Sequence, residues 1–278
     1  MRGVIVTADD FGAAIAVNEA VEQAHREGIL TCASLMVGGE AVEDAVERAR
    51  RNPGLGVGLH IVLADGKPVL PPEQIPALVG ADGNFRPGMV GTAFAIALSP
   101  SAKAQMHAEI EAQFKAFAAT GLELDHVNAH KHFHLHPMIA SAILAIGPRY
   151  GMKAMRVPYE RSAPAPMRWW SKQLAKRLRR AGLTINDEVR GLGWSGAFGT
   201  GRMKQALVDL PDGLSELYCH PATADEWPGS ATGYRYRDEL AALCADETRA
   251  ALEQGGATHG RFADFTGSGG VPSAQAGV

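Results

Sequence analysis

Val4-Ile5-Val6-Thr7-Ala8-Asp9-Asp10-Phe11-Gly12 is an apolar run that ends in two adjacent carboxylates and a glycine. Val4–Thr7 has the β-branched composition of a buried strand, and Ile15–Glu27 beyond it has the apolar spacing of a helix. The same unit returns along the chain. Leu30–Val37, Val57–His60, Leu124–Asn128, Lys153–Val157 and Ser215–Cys219 read as further strands. Helical patterns fall at Ala41–Arg51, Ala102–Thr120, Pro137–Ile146, Pro166–Ala181, Met203–Leu210 and Asp238–Gln254. Short apolar strands alternating with helices predict an α/β fold with a parallel sheet and helical crossovers. The segment between Gly182 and Trp194 fits a strand or a loop.

The strands share a manner of ending. One leads into Asp9-Asp10, others into His60, His130, Arg156 and His220. In a closed β/α barrel the carboxyl ends of the strands converge on one face, where catalysis sits. Residues far apart in sequence would meet there.

A chain of 278 residues can form one large α/β domain or two small ones. It contains neither a linker-like stretch nor an internal repeat, so a single domain is expected over 1–266. A Gly/Ser/Ala-rich tail at 267–278 reads as disordered. The formal net charge of −3 offers no global attraction for nucleic acid. Cys32, Cys219 and Cys244 are scattered without CxxC spacing, which argues against a disulfide framework or a thiolate zinc site and for a reducing compartment. The first residues lack the apolar core and cleavage site of a signal peptide, so a cytoplasmic protein is expected. Met89–Leu98 is apolar but too short to span a bilayer. It closes an excursion from Leu63, rich in Pro and Gly, of the length that often forms lids or binding loops.

Asp9 and Asp10 at the end of a buried strand are costly to desolvate unless a cation neutralises them. The competing reading is that one of them caps the following helix. His60 ends Gly56-Val57-Gly58-Leu59-His60, where alternate glycines suggest close backbone approach; taken alone it could be a core histidine. The run His126-Val127-Asn128-Ala129-His130-Lys131-His132-Phe133-His134-Leu135-His136 holds five of the ten histidines. If His130–His136 stays extended, its four histidines share one face. A solvated loop is the alternative. Asp10, His60 and His130 make a two-histidine, one-carboxylate set that leaves positions open, as in catalytic metal sites. Asp9 would then remain as general base, and His220 would be placed as the acid, with a core role its competitor.

Val6-Thr7-Ala8-Asp9-Asp10-Phe11-Gly12, Gly58-Leu59-His60, His126-Val127-Asn128-Ala129-His130-Lys131-His132 and Cys219-His220-Pro221-Ala222 resemble, in order and spacing, the YdjC-like carbohydrate deacetylases, which include the chitooligosaccharide deacetylases. The resemblance runs to about Phe265. Asp125–Pro137 and Trp194-Ser195-Gly196 look most like the hopanoid-biosynthesis branch, HpnK. The resemblance implies a distorted or incomplete TIM-like (β/α) barrel that hydrolyses an N-acetyl group from a sugar. It implies metal binding at Asp10, His60 and His130, the base at Asp9 and the acid at His220. Many members carry Asp where this chain has Asn128, so Asn128 is expected to touch the metal ligands or the substrate. His132, Arg156, Trp169, Trp170 and Trp194 are the further candidates for substrate contact. Zinc is favoured by the histidines, with magnesium the second choice.

The branch resemblance further implies an N-acetylglucosaminyl hopanoid, acetylglucosaminyl bacteriohopanetetrol, as substrate. Met167-Arg168-Trp169-Trp170 with Lys172, Lys176, Arg177, Arg179 and Arg180 forms an aromatic and basic helix suited to an anionic membrane surface, which would place the protein at the inner face of the membrane. A solvated helix on the barrel rim is the competing reading. A homodimer is compatible with the sequence. Other readings of the whole are a deacetylase of soluble chitooligosaccharides, a metal phosphoesterase, and a glycolipid-binding protein without catalysis.

Overall fold

A computed structural model describes residues 2–266; the Gly/Ser/Ala tail expected at 267–278 lies outside the described residues. The elements run β1 (Arg2–Phe11), α1 (Ile15–Glu27), β2 (Cys32–Leu35), α2 (Val42–Arg51), β3 (Gly56–Ile61), α3 (Met89–Leu98), α4 (Pro100–Ala119) and β4 (Val127–Ala129). They continue with α5 (Pro137–Ile146), α6 (Ala165–Arg180), β5 (Glu188–Arg190), α7 (Thr200–Val208), β6 (Gly213–Cys219), α8 (Tyr236–Cys244), α9 (Asp246–Gly255) and β7 (Thr258–His259).

The strands pair in parallel in the order β4-β3-β2-β1-β6-β5, and β7 adds to β1. Beyond β4 the sheet continues only as single bridges, Val127 to Met155 and Ala154 to Thr184. The expected strand Lys153–Val157 is thus a bridging segment and not a full ladder strand. Lys153–Arg156 still bonds backbone to backbone with Val127 and Thr184, but at its end the Asn186 side chain accepts the Val157 N–H at 2.7 Å and donates to the Val157 carbonyl at 2.8 Å. A side-chain amide here does the work of a neighbouring peptide. Residues 184–190 then join β6 through Glu188 and Ser215, so the sheet curls into a distorted, TIM-like barrel.

Alternation on the strands sorts the side chains. Val4, Val6 and Ala8 face the helices in the main apolar core. Ile5 faces inward and packs with Cys32, Ala154, Phe262 and Phe265, which close the barrel floor. Above that floor the interior is polar. Alternate positions Thr7 and Asp9, Gly58 and His60, His126, Asn128 and His130, and Glu216, Tyr218 and His220 climb toward the carboxyl ends of their strands.

Two expected elements differ in outline. Asp238–Gln254 divides at Ala245, whose backbone is extended, and Asp246 and Glu247 open the second helix where its N-terminal dipole favours acids. Leu63–Leu98 contains α3, and the excursion is tied to α4. Buried Glu109 accepts the Val69 and Leu70 N–H groups at 2.9 and 3.0 Å, and Gln113 brackets Val62 through both its amide atoms. Among the described residues no helix is long and apolar enough to cross a membrane.

Candidate active site

Consecutive strand residues normally point to opposite faces, yet Asp9 and Asp10 both serve the barrel mouth. The β1–β2 register shifts between Ala8 and Phe11, and Asp10 adopts φ +65°. Such a bulge re-aims a side chain, and Asp tolerates the left-handed conformation better than most residues. Gly12 follows at φ +91°, with its N–H donated to Asn18 Oδ1 at 2.8 Å. The Asp-Asp-Phe-Gly sequence is therefore a turn specification as well as a donor set.

Asp10 Oδ1, His60 Nε2 and His130 Nδ1 form a triangle with edges of 3.4, 3.2 and 3.4 Å. Ligands at the corners of a tetrahedron with bonds of about 2.0–2.1 Å lie about 3.3 Å apart, so the triangle fits a zinc-sized cation. The donor types fit as well: two imidazoles, which ligate a cation through a free nitrogen lone pair, and one carboxylate leave room for further ligands. The Asp10 carboxyl, pushed up by burial, is brought well below its ordinary range by His130, His60 and His220.

The imidazole of His60 is held in the tautomer that such a cation needs. Its Nδ1–H donates to Asn128 Oδ1 at 2.6 Å, leaving the Nε2 lone pair facing the triangle. The Asn128 amide cannot turn over, because its Nδ2 donates to Asp9 Oδ1 at 3.1 Å and to Ser34 Oγ at 2.8 Å. With its oxygen accepting, Ser34 donates its own proton to His126 Nε2 at 3.0 Å, and His126 Nδ1–H donates to Asp125 Oδ2 at 2.9 Å. A single chain of buried hydrogen bonds thus runs from floor to mouth. The glycines of β3 make room for it. A Cβ at Gly58 would meet the His126 ring at 2.5 Å, and one at Gly56 would meet Asp125 at 2.9 Å.

Asp9 stands outside the triangle. Its Oδ2 and Oδ1 accept from Arg156 Nη1 and Nη2 at 2.6 and 3.0 Å. Burial pushes its carboxyl up, but the Arg156 guanidinium, assisted by His60 and His220, outweighs burial and holds it well below the carboxylate range. A carboxylate offers about four acceptor positions, and three are taken, so one remains on Oδ2. Arg156 is fully buried, and its Nε and Nη2 also donate to Glu216 Oε1 at 3.0 and 2.8 Å, which accepts from Thr7 Oγ1 at 2.8 Å. Arg156, expected as a substrate contact, therefore meets two carboxylates inside the barrel.

The histidine run is not extended. Residues 130–135 form a 3-10 turn with Lys131 and His132 at φ +54° and +56°, so the four histidines diverge. His134 is fully buried, and burial, with the Arg156 guanidinium nearby, pushes its imidazole down to about 3. His132 stays near the mouth, its ring 5.1 Å from that of Tyr218, which lies 5.5 Å from His220. His220 donates its backbone N–H to Glu239 at 2.5 Å, while its Nδ1 has no partner. Trp169 and Trp170 form an exposed T-shaped pair on α6, and Trp194 sits half-buried against Phe198.

The sequence reading missed Glu216, Ser34, His126 and Asp125. Glu216 had a signal, because a charge two residues before Tyr218 and four before His220 faces the barrel interior by strand alternation. A second trio, Cys32, Asp125 and His126, also brings donor atoms together, at the floor.

A model of the YdjC-like protein family matches residues 3–254. The chain is similar to the carbohydrate deacetylase of Brevibacillus brevis, with 34% identity over 88% of this chain and 92% of the relative. It is likewise 31% identical to the carbohydrate deacetylase of Mus musculus, covering 91% of each. In fold it resembles a crystal structure from Enterococcus faecalis V583 named for cellobiose-phosphate cleavage, with a TM-score of 0.76, 24% identity, and 94% of this chain and 97% of that one covered.

Proposed function

This chain belongs to the YdjC-like protein family, and from that premise we propose that it is a carbohydrate deacetylase working on an N-acetylglucosamine unit through a divalent metal, zinc by preference. The observation that carries this reading is the separation of roles at the mouth. Asp10, His60 and His130 converge, while Asp9 keeps one free acceptor position beside them.

A cation in the triangle supplies a Lewis acid for the amide carbonyl and an acidified water. Asp9 Oδ2 takes the proton of the attacking water, and Arg156 and Asn128 hold the carboxylate in place for it. His220 gives a proton to the amine nitrogen as the amide C–N bond breaks, releasing acetate and the free amino sugar. His132, with an unpartnered Nδ1 near Tyr218, contacts the sugar, and Trp194 lines the same rim. Arg156 is consumed by carboxylates and Lys131 Nζ by Asp65 at 2.7 Å, so the phosphate clamp that a phosphoesterase needs is not offered by either.

The finer reading is that the sugar is carried by a hopanoid, as acetylglucosaminyl bacteriohopanetetrol, at the inner face of the membrane. Support comes from α6, which bears no acidic residue and exposes Trp169 and Trp170 at 55% and 43%. Val90, Phe94 and Leu98 form a second exposed apolar stripe on α3. Aromatic and basic side chains on one helix suit a lipid surface. Acetate release tests both levels. The glycolipid should be turned over faster than free N,N′-diacetylchitobiose, and alanine at both 169 and 170 should remove that preference. Equal efficiency on both, insensitive to those substitutions, removes the hopanoid and leaves the deacetylase.

A further inference from the structure

Between the end of β6 and the start of α8 the chain makes a loop around a cavity of about 740 Å³, lined by Asp225, Glu226, Trp227, Ser230, Tyr234 and Asp238, among others. That volume falls within the range of small-molecule sites, about 300–1,000 Å³. The reaction described above uses none of these residues.

The cavity is joined to the catalytic mouth by a run of rings. The His220 and Tyr234 centroids lie 5.4 Å apart, Tyr234 and Tyr236 5.4 Å, and Tyr236 and Trp227 4.3 Å. Tyr234 is the shared wall. Its hydroxyl meets Ser195 Oγ at 3.0 Å, and its ring lies so close to Gly196 that a Cβ there would be 2.3 Å from it. The loop is built and not merely draped. Ser230 Oγ accepts the Trp227 N–H at 3.2 Å, Tyr236 Oη accepts the Ala231 N–H at 2.8 Å, and Asp225 Oδ1 accepts the Arg237 N–H at 3.1 Å.

We propose that this cavity binds the hydroxyl-rich unit next to the acetylated sugar, the proposal resting on the deacetylase reading. Half-buried Trp227 and Tyr234 offer flat apolar faces for the C–H side of a sugar or polyol, and their polar tips stay wet. Asp225, Glu226 and Asp238 accept hydroxyls in charge-assisted bonds. Arg235 and Arg237 each pair with one of these acids, Asp238 and Asp225, which leaves Glu226 in surplus and the cavity unsuited to a phosphate or other anion. Contacts made there orient the amide at the mouth, so they raise turnover of longer substrates as well as affinity.

The test compares three acetylated substrates on the zinc-supplemented full chain: N-acetylglucosamine, N,N′-diacetylchitobiose, and N-acetylglucosamine linked to a linear tetrol. At least one extended substrate should exceed the monosaccharide about tenfold in kcat/KM, the scale of one well-placed aromatic contact. The extended substrate that gains more tells a sugar ring from a polyol. Trp227→Ala should cut the extended-to-single ratio by about the same factor, and Trp227→Phe should restore most of it. Calorimetric binding of deacetylated chitobiose and of the glucosaminyl tetrol gives a readout free of turnover, and Trp227→Ala should weaken whichever binds. A ratio equal in wild type and Trp227→Ala, or binding of both ligands unaffected by the substitution, overturns the subsite. Absence of acetate from every substrate, with binding still sensitive to Trp227, overturns the deacetylase reading and leaves the subsite standing.

Discussion

Two trios of His, Cys and Asp side chains with the donor atoms a metal could use occupy opposite ends of one barrel, and they differ in where their hydrogens go. At the mouth, Asp10, His60 and His130 turn acceptor atoms toward one point, because Asn128 draws the His60 Nδ1–H away from it. At the floor, Cys32 and His126 both spend their protons on Asp125 Oδ2, and Asp125 Oδ1 accepts the Ala263 N–H at 2.9 Å. Burial, with Asp125 beside it, pushes the Cys32 thiol well up, so that it stays protonated. Arg261 adds positive charge nearby. The lesson is that residue type and proximity do not make a metal site. The outer hydrogen bonds decide whether lone pairs are free.

The largest effects should separate the two jobs at the mouth. Asp9→Asn is expected to lower deacetylation about 10³-fold with metal content nearly unchanged, the scale of a lost proton acceptor. His60→Ala should lose the metal itself, as elemental analysis of the purified variants will show. An empty site in Asp9→Asn would make Asp9 a ligand and move the base elsewhere. Next comes Arg156→Leu, which leaves Asp9 and Glu216 as unpaired buried charges. A cost of about 3–5 kcal/mol in urea unfolding is expected. A change under 1 kcal/mol would mean that the interior carboxylates are solvated or neutral.

The chain of hydrogen bonds between the trios can be cut in the middle. Asn128→Ala should weaken metal binding about 10–100-fold, the usual cost of losing the partner that orients a ligating histidine. Asp125→Asn should instead cost about 1–3 kcal/mol of stability, as an unsatisfied buried group does. Metal titrations in which both variants bind like wild type would sever floor from mouth.

How far the sequence foretold this follows from what each feature depends on. Strand ends were legible because Asp10, His60 and His130 close apolar runs at the same relative place, and helices such as Ile15–Glu27 and Pro137–Ile146 match their periodicity to the residue. The glycines of Gly56-Val57-Gly58 announced close approach, and the approaching groups are Asp125 and His126. The turn at Lys131 and His132 was not legible, since two left-handed non-glycine residues are imposed by packing and violate local preference. The partners of Arg156 were not legible from its strand end, since Asp9 and Glu216 lie 147 and 60 residues away.

A smaller effect concerns His134. Its imidazole is depressed to about 3, whereas the unfolded chain titrates near the ordinary value of 6.5. Between those values the unfolded state binds more protons, so stability falls as pH drops from 6.5 toward 3. His134→Leu should flatten that slope in urea unfolding. A slope equal to wild type would place the acid sensitivity in other groups.

The most direct measurement is an anomalous difference map at the zinc absorption edge from crystals grown with zinc. The expected result is one strong peak bonded to Asp10, His60 and His130 at about 2.0–2.2 Å, with Asp9 unbonded to it. A peak among Cys32, Asp125 and His126, or among His132, His134 and His136, would contradict the account.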